Sequence, residues 1–188
     1  MSDKKKYPRA DALKVAKELC DALKPVTDRL IVAGSLRRRK DLVGDVEILY
    51  VPKLSQGIRV DLFGARETDN LVDRVLKDLL RDHQIEKRLT IKGSETWGEK
   101  NKFAVHHTGI PVDFFSAHEG NWFNYIVCRT GSAESNTRIA FAAQAKGGKW
   151  NPYGAGFTDE CGLLRRVTAE RDVFDLVGLP YQEPWERI

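Results

Sequence analysis

Residues 29–51 read RLIVAGSLRRRKDLVGDVEILYV and carry most of what decides the fold. The apolar run over residues 29–33 predicts a short buried strand that ends at Gly34-Ser35. Residues 36–41 are charged and predict one helical turn, and residues 44–51 predict a second strand. The stretch therefore predicts two strands joined by an arginine-rich turn.

Helical and strand-like segments flank this stretch on both sides. The predicted helices cover residues 10–23, 70–82, 122–127, 136–146 and 170–177. Further strands are predicted near residues 85–91, 102–107 and 111–115. Their order predicts an α/β (α+β) fold, in which a mixed sheet carries packed helices. The pattern changes after about residue 116, so we expect one part over residues 1–118 and a second over residues 119–188.

Composition excludes several classes of protein. The chain has 188 residues with 41% hydrophobic residues and a net charge of +4, which is ordinary for a folded domain. No run approaches the roughly 18 apolar residues of a membrane span, and the polar first nine residues are unlike a secretory signal. Three dispersed cysteines predict neither a disulfide framework nor a zinc knuckle. The positive excess lies in residues 1–118.

Three carboxylates are candidates for a reactive centre. Residues i and i+2 of a strand point to the same face, so Asp45 and Glu47 share one face of an otherwise apolar strand. Asp113 lies within a second apolar run, where a charged group must be paired, solvated or bound to a metal. If the two strands are neighbours in the sheet, the three carboxylates converge.

Convergence of three carboxylates favours a bound cation. Two like charges about 5 Å apart repel by roughly 3 kcal/mol at an effective dielectric constant of about 20. All-oxygen ligands suit Mg²⁺ or Mn²⁺ better than zinc. A pair of such ions serves in-line attack at phosphorus.

The turn between the two strands predicts an anion site. Gly34-Ser35 begins a short turn that also contains Arg37 and Arg38. Backbone N–H groups, a hydroxyl and a guanidinium together can bind a phosphate.

Several motifs resemble one known family. Residues 33–38 (AGSLRR) and 43–49 (VGDVEIL) are similar to the signature of the family-X DNA polymerases, within the polymerase β-like nucleotidyltransferase superfamily. The similarity continues at residues 111–113 (PVD), 130–136 (TGSAESN), 151–154 (NPYG) and 171–181 (RDVFDLVGLPY), and covers most of residues 8–185. The resemblance implies a nucleotidyltransferase palm over residues 1–118. Residues 119–188 would form a small α/β thumb subdomain that closes over the nascent base pair.

The resemblance also implies roles for individual residues. Metal-binding acids of the family match Asp45, Glu47 and Asp113. The nucleotide-binding positions of the family match Arg9, Gly34, Ser35, Arg38, Gly44, Gly131 and Asn136. Ser35, Arg38 and Arg9 would contact phosphates, and Gly131 and Asn136 would lie beside the sugar and base. Members often have a cis peptide after that glycine, here Gly131–Ser132.

The implied activity is that of a DNA-directed DNA polymerase. It would add nucleotides to a DNA 3′ end by two-metal-ion transfer with two Mg²⁺ ions, in gap-filling repair. Primer–template or gapped DNA and nucleoside triphosphates would be its partners, with no membrane partner. The resemblance is to the minimal palm-plus-thumb members, without a lyase domain, and implies a monomer in the cytoplasm of a bacterial or virus-infected cell.

Three departures from the family pattern keep alternatives open. The second acid is usually Asp and here is Glu47, so we expect Mn²⁺ to serve at least as well as Mg²⁺. Cys128-Arg129 replaces a Tyr-Phe pair that rejects ribonucleotides, which predicts weak sugar selectivity. Pro111 stands where relatives often have Arg. The alternatives are a nucleotidyltransferase with weak sugar selectivity that acts without a template, or on RNA or a small acceptor, a catalytically inactive DNA-binding module, and a structural or adaptor protein.

His106-His107 is the remaining pair of potential metal ligands. Adjacent residues of a strand point to opposite faces, so this pair is not expected to share an ion.

Overall fold

A computed structural model describes residues 5–60, 66–90 and 93–188. The α-helices are α1 (Arg9–Leu23), α2 (Gly34–Arg37), α3 (Leu71–Arg81), α4 (Trp122–Thr130), α5 (Ala133–Ala145) and α6 (Glu170–Val177). The strands are β1 (Tyr7–Pro8), β2 (Thr27–Val32), β3 (Leu42–Val43), β4 (Val46–Pro52), β5 (Leu54–Val60), β6 (Arg66–Asn70), β7 (Ile85–Lys87), β8 (Asn101–His106), β9 (Pro111–Ser116), β10 (Lys149–Asn151), β11 (Gly156–Thr158) and β12 (Leu164–Arg166). The fold is α+β, as predicted.

A five-stranded mixed sheet forms the centre of the molecule. Its strand order is β2-β4-β9-β8-β7. Strands β4 and β9 run parallel, and every other neighbouring pair in this sheet is antiparallel. The parallel register aligns Val46 with Val112, Glu47 with Asp113 and Ile48 with Phe114. The two apolar runs predicted as strands are therefore direct neighbours.

The two faces of this sheet pack against different helices. Val46, Ile48, Val112 and Phe114 are fully buried on one face, in a core shared with α1 and α3. The other face carries Leu49, Val51 and Phe115, which pack with Trp122, Tyr125 and Ile126 of α4. Helix α4 covers only part of that second face. The polar residues Glu47 and Asp113 lie on the same face as Leu49 and Phe115, because alternate residues of a strand share a face.

The last third of the chain has an apolar core of its own. Residues of α4, α5 and α6 pack with the small sheet β10-β11-β12 around Ile139, Trp150, Phe157 and Phe174. The proposed division after residue 118 stays a prediction, because the core around Phe115 contains residues from both sides of that point.

The secondary structure differs from the expectation at a few places. Helix α5 begins at Ala133 rather than at residue 136, because the Ser132 side chain accepts a hydrogen bond from the Ser135 amide at 3.0 Å and caps the helix. The paired strands β5 and β6 and the short strands β10 to β12 were not expected. Strands of three residues are too short to show a periodic pattern. No helix in the described ranges has both the length and the apolar character needed to cross a bilayer.

Candidate functional site

Three carboxylates converge at the start of the parallel strand pair. Glu47 and Asp113 are aligned across β4 and β9, and side chains of aligned residues point to the same face. Asp45 lies just before β4 and shares that face, two positions from Glu47. Asp113 is buried, whereas Asp45 and Glu47 are partly exposed. The structure thus brings the three predicted acids together, while their roles stay predictions.

The electrostatics of Glu47 show how closely these charges lie. Burial, together with the negative charge of Asp45, raises the pKa of Glu47 to about 7. Asp113 acts in the same direction, and the guanidinium groups of Arg129 and Arg38 act against it. Near neutral pH, Glu47 is therefore poised between its charged and neutral forms, and a bound cation would favour the charged form.

The turn after β2 lies directly against Glu47. The amide of Ala33 donates a hydrogen bond to the Glu47 carbonyl oxygen at 2.8 Å. Gly34 has φ +63°, and a Cβ atom built on it would lie 2.0 Å from Glu47 Oε2. Both the backbone conformation and the space at this position therefore require glycine. Ser35 follows within α2 and is partly buried.

Arg38 lies at the edge of the acidic cluster. Its Nη1 donates a hydrogen bond to the Thr130 carbonyl oxygen at 2.5 Å. Burial lowers the pKa of Arg38, and the nearby carboxylates of Glu47 and Asp45 oppose this shift. Its buried Nε has no hydrogen-bond partner among the described residues. The guanidinium thus has hydrogen-bonding capacity left beside the acids.

Arg9 and Gly44 lie along the edge that leads into the cluster. Strand β1 pairs with β3, which places Tyr7 opposite Val43. Arg9 is the first residue of α1, and its amide donates a hydrogen bond to the Asp41 carbonyl oxygen at 2.8 Å. Gly44 connects β3 to Asp45. The fold therefore places Arg9 beside the segment that precedes Asp45.

Gly131 and Asn136 are neighbours at the junction of α4 and α5. The side-chain Nδ2 of Asn136 donates a hydrogen bond to the Cys128 carbonyl oxygen at 2.8 Å. A Cβ atom on Gly131 would lie 2.6 Å from Asn136 Oδ1. The resemblance implied a cis peptide bond at Gly131–Ser132, and this expectation was wrong, because that peptide bond is trans. Because Gly131 has no Cβ atom, the Asn136 side chain can lie against it with the peptide bond in the trans form.

Arg88 is a residue of the site that the sequence did not reveal. Its Nη2 donates a hydrogen bond to Asp113 Oδ1 at 2.6 Å, and both side chains are largely buried. The Arg88 amide donates to the Phe103 carbonyl oxygen, and Phe103 is aligned with Asp113. The guanidinium of Arg88, the residue that follows β7, therefore contacts Asp113, although Pro111 stands where the family often has an arginine. Only the strand register could have shown this.

Arg129 brings a second unexpected positive charge to the cluster. Its guanidinium lies 3.6 Å from the centre of the Phe115 ring, and within 5.4 Å of the ring centres of Tyr125 and Tyr153. Its charge acts to lower the pKa of Glu47. The sequence marked this position only as a departure from the family, and its aromatic surroundings depend on tertiary packing.

Arg37 contacts the second half of the chain. Its guanidinium donates to Glu170 Oε1 at 2.5 Å and to Thr130 Oγ1 at 2.8 Å. Glu170 also accepts a hydrogen bond from Arg187 at 2.6 Å. The expectation that Arg37 contributes to the anion site is not supported, since its charge is paired with Glu170.

The two adjacent histidines also differ from the expectation. Strand β8 ends at His106, so His107 lies in the following turn and is not bound to the alternation of the strand. The two imidazole rings have centroids 4.1 Å apart. The prediction that they point to opposite sides was therefore wrong.

Comparison with known protein families supports the resemblance to family-X DNA polymerases that the sequence motifs indicated. Residues 125–188 match the family model described as DNA polymerase beta thumb. The match includes the junction of Gly131 and Asn136, the three-stranded sheet and α6. The match covers residues 125–188 of the 188-residue chain and supports a family-X polymerase-like protein.

Proposed function

We propose that this protein is a DNA-directed DNA polymerase that adds nucleotides to a DNA 3′ end. The observation that carries the proposal is the alignment of Glu47 with Asp113, beside Asp45 and against the Gly34 turn. The thumb match supports DNA as the partner. Nucleoside triphosphates are the proposed substrates, and gap filling in repair by a monomer is the proposed setting.

The acidic cluster suits divalent cations. Its donors are carboxylate oxygens, which Mg²⁺ and Mn²⁺ prefer. Burial and the negative charge of Asp45 raise the pKa of Glu47 to about 7, and a bound cation would favour its charged form. Asp45, Glu47 and Asp113 would hold two such ions. When bound, these ions would supply acidification of the primer 3′-hydroxyl and charge neutralisation of the triphosphate.

Arginine and serine side chains of the protein would orient Asp113 and bind the triphosphate. Arg88 donates a hydrogen bond to one oxygen of Asp113, and this contact would keep the carboxylate in one orientation when a primer terminus is bound. Arg38 and Ser35, with Arg9 beyond them, would bind the triphosphate and then the departing pyrophosphate. Arg38 would exchange its hydrogen bond to the Thr130 carbonyl for one to a phosphate oxygen, which is the stronger, charge-assisted bond.

The thumb would position the nucleotide. Gly131 and Asn136 would lie beside its sugar and base, and Asn136 Oδ1 is buried with no hydrogen-bond partner among the described residues. An unpaired buried acceptor is costly, and a nucleotide donor would satisfy it. This observation supports a role for Asn136 in nucleotide binding.

A template-independent nucleotidyltransferase with weak sugar selectivity is the second candidate. Cys128 is buried, and the Arg129 guanidinium lies against the Phe115 ring. Neither residue presents the bulky aromatic edge that excludes a 2′-hydroxyl in relatives. We therefore expect ribonucleotides to be used within about 10-fold of deoxyribonucleotides, a discrimination no larger than one weak contact provides.

Primer extension tests the proposal. Labelled primers would be offered as gapped, recessed and single-stranded DNA, with deoxy- or ribonucleotides, in Mg²⁺ or in Mn²⁺. We expect template-directed extension, with Mn²⁺ at least as effective as Mg²⁺. Asp113→Asn should lower the rate of incorporation by at least about 100-fold, since it removes transition-state charge stabilisation.

The matched control for this experiment is Asp28→Asn, which neutralises an exposed carboxylate on β2. It should incorporate nucleotides at the wild-type rate. Wild-type incorporation by Asp113→Asn would contradict the proposed role of the cluster. Equal extension of single-stranded and templated primers would favour the second candidate. DNA binding without incorporation in either metal would indicate a binding module.

A further inference from the structure

A cluster of three potential metal ligands lies away from the acidic cluster. Glu18 of α1, His106 at the end of β8 and His107 in the next turn each offer one ligand atom. These three atoms all lie within 4.8 Å of one another. We propose that this Glu-His-His cluster is a second metal site, which binds a zinc-like transition-metal ion.

The geometry of the cluster fits tetrahedral coordination. His106 Nε2 lies 3.3 Å from Glu18 Oε1. In a tetrahedral zinc site with bonds of about 2.0–2.2 Å, two ligand atoms lie about 3.3–3.6 Å apart. Helix α1 and the end of β8 therefore hold this pair of side chains, which hydrogen-bond to each other, at the separation that a shared ion requires. The ligand atom of His107 lies within 4.8 Å of the other two, and the side chain would move closer to complete the set.

The surroundings of His106 hold its ring in place. The residue is buried, and its Nδ1 lies 2.8 Å from Thr108 Oγ1. Metal-ligating imidazoles commonly use their second nitrogen in such a hydrogen bond, which fixes the ring orientation. Glu18 and His107 are exposed, so an ion can enter from solvent and keep water as its fourth ligand.

The proposed site is independent of the acidic cluster. Ala104 is aligned with Val112 on the face of the sheet that packs against α1, and His106 follows two positions later on that same face. Glu47 and Asp113 lie on the opposite face. The ligand chemistry also differs, since imidazole nitrogen favours zinc and cobalt over magnesium. A bound ion would link α1 to the β8–β9 turn and stabilise the folded chain.

Cobalt binding to the untagged 188-residue chain tests the proposal. Tetrahedral Co²⁺ with nitrogen ligands has strong visible absorption, whereas Co²⁺ in an octahedral all-oxygen site absorbs weakly. We expect a strong spectrum that saturates at one equivalent and is abolished by competing Zn²⁺. His107→Ala and Glu18→Gln should each weaken Co²⁺ binding at least about 10-fold, as loss of a ligand should cost no less than loss of a supporting contact.

Two controls make the result specific. His118→Ala removes an exposed imidazole elsewhere and should leave the cobalt spectrum and affinity unchanged. The Asp113→Asn variant should also keep the spectrum, which separates this site from the acidic cluster. Zn²⁺ should raise the melting temperature of the wild type and not of His107→Ala. Weak octahedral absorption alone, or equal Co²⁺ affinity in the wild type, His107→Ala and Glu18→Gln, would overturn the proposal.

Discussion

At the scale of single residues, the surroundings of Glu47 strongly change its pKa. Burial and the charges of Asp45 and Asp113 raise its pKa to about 7, despite two nearby guanidinium groups. A carboxylate whose pKa is higher in the folded chain than in the unfolded chain holds a proton that the unfolded chain has released. In the absence of divalent cations, Glu47 therefore makes folding depend on pH.

The sign of this dependence follows from the two pKa values. Below the ordinary value of 4.5, Glu47 is protonated in both states, and between 4.5 and about 7 only the folded state keeps the proton. The contribution of Glu47 to the free energy of unfolding therefore falls as the pH rises from 4.5 to about 7. Replacing Glu47 by uncharged glutamine removes this loss, so the free energy of unfolding of Glu47→Gln relative to wild type should be about 2.5 kcal/mol higher at pH 8 than at pH 5.

Urea unfolding at both pH values, with a chelator present, measures this effect. Glu86→Gln replaces an exposed carboxylate on β7 and should give no comparable change between pH 5 and pH 8. An equal difference between Glu47→Gln and wild type at the two pH values would show that Glu47 does not titrate near neutrality.

At the scale of elements, the turn formed by α2 connects the sheet to the acidic cluster. Gly34 combines φ +63° with a position where a Cβ atom would lie 2.0 Å from Glu47 Oε2. Gly34→Ala should therefore lower the free energy of unfolding by about 1–3 kcal/mol through backbone strain. The added methyl should also displace the Glu47 carboxylate and raise the Mn²⁺ concentration needed for half-maximal primer extension.

Gly162→Ala is the matched control for that substitution. Gly162 has φ +79°, and a Cβ atom there would have no neighbour within 4 Å. Gly162→Ala should therefore lower the free energy of unfolding through backbone strain but leave the Mn²⁺ concentration for half-maximal primer extension unchanged. If both variants have the same metal dependence, contact between Gly34 and Glu47 does not set the position of the carboxylate.

Long periodic or apolar segments were predictable from the sequence. Helix α1 and strands β4 and β9 follow their patterns closely, because an amphipathic helix and buried strands each have a distinct spacing. Strands β10 to β12 have three residues each and lack such a signal. The acids Glu47 and Asp113 could be selected because charge is unusual within an apolar strand.

The contacts of the arginines could not be predicted in the same way. Arg88 meets Asp113 only because β7, β8 and β9 adopt one register, and Arg129 meets Phe115 only because α4 packs on the sheet. Neither contact leaves a local signal in the sequence. Long side chains at the surface of a predicted element can pair with many partners, and tertiary structure selects one.

At the scale of the whole molecule, Glu170 connects the amino-terminal and carboxy-terminal parts of the chain. It accepts hydrogen bonds from Arg37 on α2 and from Arg187, whose side chain is completely buried. Burial alone would raise the pKa of Glu170, but both guanidinium groups more than offset this and hold the pKa below its ordinary value. This pair of contacts is therefore stabilising at neutral pH and weakens as the pH falls through the lowered pKa.

Glu170→Gln should destabilise the fold strongly. It removes the charge that compensates buried Arg187, and the loss of one partner of a buried pair costs about 3–5 kcal/mol. Asp78→Asn breaks an exposed pair with Arg81 and should cost less than about 1 kcal/mol. Urea unfolding at pH 7 compares the two. A cost for Glu170→Gln as small as that for Asp78→Asn would mean that solvent or another group compensates Arg187.

The contact between Arg88 and Asp113, which passes over Phe103, depends on how the strands of the sheet pair. The guanidinium lies over the Phe103 ring and reaches the acid across the intervening strand β8. Because side chains alternate between faces, a one-residue slip in the pairing of β7 with β8 would turn Arg88 away from Asp113. The pairing of β7 at the edge of the sheet, two strands from Asp113, therefore decides whether this acid keeps its contact with Arg88.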